Sequence, residues 1–286
     1  MTGIGFILII LSAVFHAIWN YATKKIQSNT TFIWLFSCIS SVVYLPFALI
    51  SLSANKIHFR FYFILFIMVS AGLHSIYIIL LSKGYRVGNL SVIYPLARGT
   101  GPLFSTMIAI LFLNENASFS ALIGIFLMIL GIFTITGNPL ELLRTNKDIS
   151  LVYAFLCGLT IASYTIFDKI GVSILMLPPI FLHWSVNVGR ALLLTPFALR
   201  RKGEIENLVK HHKKEAFTVG ILSPLSYILV LTAMIFTPVY YVAPMRELSI
   251  LVGTFLGVKF LSEELSRTKL IGICIMLIGL ITLSLA

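Results

Sequence analysis

Long runs of apolar residues, interrupted at short intervals by charges and turn formers, make up almost the whole chain. Runs of about 20 such residues recur, the length a helix needs to cross a ~30 Å hydrocarbon layer. Segments such as 121–136 and 271–285 are apolar on every side, whereas the strands of a barrel alternate polar and apolar positions. The pattern therefore predicts an all-α polytopic membrane protein. Charges and turn residues delimit ten transmembrane helices, near 3–22, 31–52, 60–82, 89–113, 118–137, 150–169, 177–199, 216–236, 240–261 and 267–285. Connections are short except near 200–215. Pro95 and Pro102 fall inside the fourth span and Pro244 inside the ninth. A proline in a helix leaves a carbonyl without its donor, which membranes tolerate where a neighbour or a cavity satisfies it.

The spans repeat. At a shift of 148 residues Arg98 meets Arg246, Leu113 meets Leu261 and Glu115 meets Glu263, while Gly124 meets Gly272 and Gly131 meets Gly279. Ala17 and Lys24 match Ala162 and Lys169 at a shift of 145. Two five-helix repeats are predicted, 1–137 and 150–286, joined by a loop at 138–149. Five is odd, so the second repeat enters the membrane from the opposite side. Inverted repeats of this kind set a substrate site near the midplane between the halves.

Composition sharpens the class. Hydrophobic residues are 58% of the chain and charged residues 11%, far from a soluble domain. The net charge of +11 sits in short loops, where it sets topology and meets anionic headgroups. No basic stripe on a polar face points to nucleic acid. Cys38, Cys157 and Cys274 each lie within an apolar run and read as packing residues. The apolar stretch 5–15 has no preceding Lys or Arg and no cleavage site, so it reads as the first span rather than a signal peptide. Basic residues favour the odd-numbered connections, which predicts those loops in the cytoplasm and both termini outside.

Charges at bilayer depth cost ~2.5–3.5 kcal/mol on insertion scales and face a cavity or a partner. Arg98 lies between two prolines of the fourth span, and Arg246 and Glu247 follow Pro244 in the ninth. The repeat puts the two arginines in equivalent places, flanking one central cavity. Guanidinium groups there would bind a carboxylate or phosphate. The alternative is a structural ion pair of Arg98 or Arg190 with Glu247. Arg190 and His183, seven residues apart, share a face of the seventh span. His16, with Trp19 and Asn20 on the same helix, is a further candidate for the cavity. Glu247, His183 and His74 are the candidates for proton coupling. Each histidine also has an ordinary reading as a packed, hydrogen-bonded residue. Glu115, Glu263 and Glu264 read as interfacial charges at span ends, with Ser118 and Ser266 as helix caps. Gly253 and Gly257 read as a helix-packing pair. Trp19, Trp34 and Trp184 line a pocket or belong to core and belt.

The segments His16-Ala17-Ile18-Trp19-Asn20 with Lys24, and Tyr94-Pro95-Leu96-Ala97-Arg98-Gly99-Thr100-Gly101-Pro102, together with Leu113-Asn114-Glu115 and Leu261-Ser262-Glu263-Glu264, carry a resemblance. Over essentially the whole chain the sequence resembles the drug/metabolite transporter superfamily, of the EamA type. Asn114 departs from the glycine many members have before the glutamate. The resemblance implies a multi-pass protein of the inner (plasma) membrane, a secondary carrier of small metabolites without a cofactor, monomeric or homodimeric. It adds Tyr94 to the candidate substrate contacts and favours proton-coupled export. With the arginines, it points to a substrate bearing an anionic group, an amino acid or related zwitterion. Alternatives are a lipid-linked-sugar flippase and an intramembrane enzyme. Against an enzyme, neither His-Glu-x-x-His nor Gly-x-Ser-x-Gly occurs, and Glu263-Glu264-Leu265-Ser266-Arg267 sets its arginine one place early for a Glu-Glu-x-x-x-Arg motif. No metal-ligand set and no phosphate-binding Gly-x-x-x-x-Gly-Lys run is apparent.

Overall fold

The structure, a computed structural model, describes residues 3–26, 29–55, 61–87, 90–136, 148–261 and 265–286. Lys56, Arg60, Arg144, Lys147, Glu263, Glu264 and most of the 138–149 loop lie outside the described residues, as do the side chains of Lys24, Arg86, Tyr94, Pro95 and Gly257. Among the described residues every regular element is helical. The first repeat holds α1 (Gly3–Lys25), α2 (Thr30–Ala54), α3 (Phe61–Val87), α4 (Leu90–Phe112) and α5 (Phe119–Thr136). The second holds α6 (Asp148–Ser173), α7 (Pro179–Leu199), α8 (Lys202–His211), α9 (Lys213–Phe236), α10 (Val239–Met245), α11 (Ser249–Leu261) and α12 (Arg267–Leu285). A single 3-10 turn, Arg246–Leu248, links α10 to α11.

Helix satisfies its own backbone polar groups, which is what hydrocarbon demands. The ends are tied where the sequence supplies caps. Asn29 accepts from the Phe32 amide at 3.0 Å, Ser118 from Ala121 at 3.1 Å and Ser266 from Lys269 at 3.3 Å. Among the described residues six helical segments are long and apolar enough to cross a membrane: Gly3–Thr23, Thr30–Ala54, Phe61–Leu81, Leu151–Ser173, Lys213–Phe236 and Arg267–Leu285. Two shorter apolar stretches, Leu96–Phe112 and Phe119–Ile135, join them. The expected seventh and ninth spans are also helical but differ in kind. His183, Asn187 and Arg190 make α7 too polar, and the turn at Arg246 breaks the other into α10 and α11. Outward side chains are large and apolar, with Val42 73% and Phe61 83% exposed, a surface suited to lipid.

The repeat is visible in how α5 meets α12. A Cβ on Gly124 would lie 2.9 Å from the Gly279 carbonyl oxygen, and one on Gly272 would lie 2.9 Å from that of Gly131. The contact is antiparallel and reciprocal: Gly124 faces Gly279, and their repeat-equivalents Gly272 and Gly131 face each other, as a two-fold relation requires. The backbones touch because no side chain intervenes. Gly131→Leu is accordingly expected to destabilise the protein by about 1–3 kcal/mol. Thermal unfolding in detergent would read this as a lowered melting temperature, whereas a wild-type melt would mean the helices can part without loss.

The basic stretch near 200–215, read from the sequence as a loop, contains α8. Its Leu208 is buried against Ala22, Phe32, Phe36, Ala216 and Val219. One apolar anchor among charges folds the segment back onto the bundle as a short amphipathic helix.

Candidate functional site

A cavity of about 460 Å³ lies between the repeats, within the usual range for small-molecule sites. It reaches the helix ends at Asn29, Thr30 and Arg201 and runs inward to Tyr227 and Arg246. At the mouth, Glu204 of α8 accepts from Asn29 Nδ2 at 3.0 Å and Thr31 Oγ1 at 2.7 Å, and from Arg201 Nη1 at 3.3 Å.

The opposite face is closed by two clamps between elements. Glu115, just past α4, accepts from the amides of Val239 at 2.8 Å and Tyr240 at 3.1 Å, the free N–H groups that open α10. A carboxylate there satisfies donors the helix cannot and meets its positive end. Asn114 delivers Glu115 by adopting a left-handed backbone, φ 53°, while the Glu115 amide reaches back to the Ala109 carbonyl. Asparagine tolerates that conformation almost as glycine does, so the family departure at this position keeps the turn. Lys169 Nζ donates to the carbonyls of Met234 and Thr237 at the end of α9. The sequence reading took Glu115 as an interfacial charge and ended the sixth span at Lys169. Instead, Glu115 caps a helix of the other repeat, and α6 runs on to Ser173 with Lys169 inside it.

Sequence-selected residues His16, Trp19, Asn20, His74, Arg98, His183, Arg190 and Arg246 all line the cavity. Their surroundings differ. Arg98 Nη2 lies 2.7 Å from Glu247 Oε2 and donates to Ser249 Oγ at 3.0 Å. Its Nη1 is 3.3 Å from His16 Nε2, which must accept because guanidinium only donates. Glu247 is 2% exposed and lies behind the wall rather than in it. Arg190, on α7, donates from Nε to Ser37 Oγ at 2.9 Å and from Nη2 to Asn187 Oδ1, and stacks over Phe36 at 5.2 Å. Arg246 donates to the Tyr164 hydroxyl at 3.3 Å and sits over the Tyr227 ring at 5.6 Å. Neither Arg190 nor Arg246 has an ion-pair partner among the described residues. The Trp19 indole N–H is buried in the same place with no acceptor among the described residues. Among the described residues no Asp or Glu lines the cavity, so its wall is rich in donors. Trp34 and Trp184 instead tie α2 to α7, through Thr195 Oγ1 at 3.0 Å and the Ser41 carbonyl at 2.8 Å.

Several residues here escaped the sequence reading. Tyr77, Tyr164, Tyr227 and Phe36 form the aromatic wall. Behind them Asp168, 1% exposed, accepts from Ser70 Oγ, His74 Nε2 and the Tyr227 hydroxyl. Asp168 lies one residue before 169, the end expected for the sixth span, so its position did not mark it as internal. The added turn of α6 is what makes it internal.

A bundle of apolar helices in two repeats around a polar cavity defines a multi-pass membrane protein of the carrier class. The model of the EamA-like transporter family matches the chain twice, over residues 3–137 and 148–285, and the chain belongs to that family. It is thus a membrane transporter of small molecules within the drug/metabolite transporter superfamily. No curated protein matches the sequence. A crystal structure of another protein is similar over 100% of this chain and 98% of its own, with TM-score 0.78 and 11% identity, a likeness of fold.

Proposed function

We propose that this protein is a ten-span secondary carrier of the cell's inner (plasma) membrane that moves a small organic anion through the central cavity by alternating access. The observation that carries this reading is the charge of the cavity. Arg190 and Arg246 are buried there with no ion-pair partner among the described residues, and the Trp19 N–H awaits an acceptor. A buried guanidinium is costly unless paired, and a carboxylate, sulfonate or phosphate would supply the missing partner. The aromatic wall suits a ligand with an apolar or ring-bearing body. A zwitterion fits less well than a plain anion, since its ammonium group would meet no carboxylate on the wall. A cavity open at one face and clamped at the other supports alternating access. Export is what the family resemblance implies; the sign of ion coupling decides direction and is taken up below.

Thermal melting of the purified protein against organic anions, amino acids, lipophilic cations and lipid-linked sugar phosphates tests the reading. A ligand of the folded state raises the melting temperature by mass action. Stabilisation by organic anions is expected. Stabilisation by lipophilic cations alone would overturn the reading, and by the lipid-linked sugar alone would make the protein a flippase.

A further inference from the structure

Three donors converge on Asp168: Ser70 Oγ at 2.5 Å, His74 Nε2 at 2.9 Å and the Tyr227 hydroxyl at 2.8 Å. A carboxylate only accepts, so His74 carries its proton on Nε2 and leaves Nδ1 as the basic position. His74 and Tyr227 line the cavity while Asp168 does not, so the cavity senses this carboxylate only through those two side chains. The pair is enclosed by titratable and charged groups from every element packed on it. Tyr77 comes from α3, and Tyr164 from α6 stacks on His74 at 4.1 Å. His183 from α7 lies 6.3 Å from His74 and 4.9 Å from Tyr227 of α9, and Arg246 from the 3-10 turn lies over Tyr227. Lys169, next in sequence, turns away to the end of α9.

We propose that the His74–Asp168 pair is the proton-coupling site of the carrier and that proton and anion bind cooperatively; this rests on the anion-carrier reading. A hydronium ion of the cavity water breaks one O–H bond as an N–H bond forms at His74 Nδ1, and a neutral water is left. The imidazolium keeps its Nε2–H bond to Asp168, and the pair passes from net −1 to neutral. That removes negative charge from the wall beside Arg246, where an anion would sit. In a cavity of low dielectric the change favours the anion, and by reciprocity the anion favours the proton. The other candidates lack this arrangement, and His183 has no carboxylate against its ring among the described residues. Glu247 holds Arg98 at 2.7 Å behind the wall, and His16 Nε2 already accepts from Arg98. Cooperative binding makes the cycle a symport. An inward-directed proton gradient then drives uptake, in place of the export that the family resemblance implies.

Benzenesulfonate is the probe, because its fixed charge leaves any pH effect to the protein. Calorimetric titration of the purified wild type at about pH 6 and about pH 8 is expected to give roughly tenfold tighter binding at the lower pH. Asp168→Asn and His74→Gln are expected to flatten that ratio to about one, with thermal melts to confirm folding. Equal affinity at both pH values in wild type, tighter binding at the higher pH, or a wild-type ratio in both pair variants would overturn the coupling and leave the anion reading standing. Absence of binding at either pH in wild type would remove the anion reading and the coupling with it. If one pair variant does not fold, the other and the wild-type ratio still decide.

Discussion

Replacing Arg246 with Gln is expected to abolish transport and, at the same time, to raise the melting temperature. The two effects share a cause. Arg246 is 6% exposed with no ion-pair partner among the described residues, so the apo protein carries the desolvation of a buried guanidinium. Glutamine removes that strain on stability and removes the group that an anion needs. Loss of a buried guanidinium–anion contact weakens binding by about 2–5 kcal/mol, roughly thirty-fold or more. Arg190→Gln should behave alike, softened by the loss of its bonds to Ser37 and Asn187. Arg98→Gln should do the reverse for stability. It strands Glu247, a loss of about 3–5 kcal/mol, and lowers the melting temperature. Melting curves with uptake assays in vesicles separate the cases. A destabilised Arg246→Gln that still transports would assign that arginine to structure alone.

Glu115→Ala is expected to open the closed face. The carboxylate takes two amides at the start of α10 from across the repeat boundary, a cap worth about 1–2 kcal/mol, or roughly five- to thirty-fold in the balance between conformations. The change is visible as labelling of Thr237→Cys by an impermeant charged thiol reagent, in a background lacking Cys38, Cys157 and Cys274. Thr237 is 1% exposed beside the Lys169 contact, so it reacts slowly in the clamped state. A fivefold or greater rise in labelling is the expected result. An unchanged rate would mean that packing, not the clamp, keeps this face shut.

Hydropathy made the membrane class and the repeat readable, because lipid imposes length and uniformity on each helix. It located Arg98, Arg190 and Arg246 because charge inside an apolar run stands out. What it could not supply was pairing. Arg98 and Arg246 are equivalent in the repeat, yet a single carboxylate, Glu247, sits against the first of them. Whether a buried cation is neutralised depends on which helices face each other, and periodicity along one helix does not encode that. Asp168 was missed for a smaller reason, an end placed a turn too early. The tyrosines of the wall carry no charge to mark them among so many aromatics. Glu115 and Lys169 look like ordinary interfacial charges until the opposite repeat is brought against them.

The reciprocal glycine contact between α5 and α12 has one more property. Any rearrangement in which the halves exchange roles carries Gly124 against Gly279 onto Gly272 against Gly131, so it maps that crossing onto itself. The clamp of Glu115 on α10 joins the repeats at a different seam, one that the proposed cycle must break. The four glycines are thus a contact that such an exchange can leave in place, a fulcrum for the proposed alternating access.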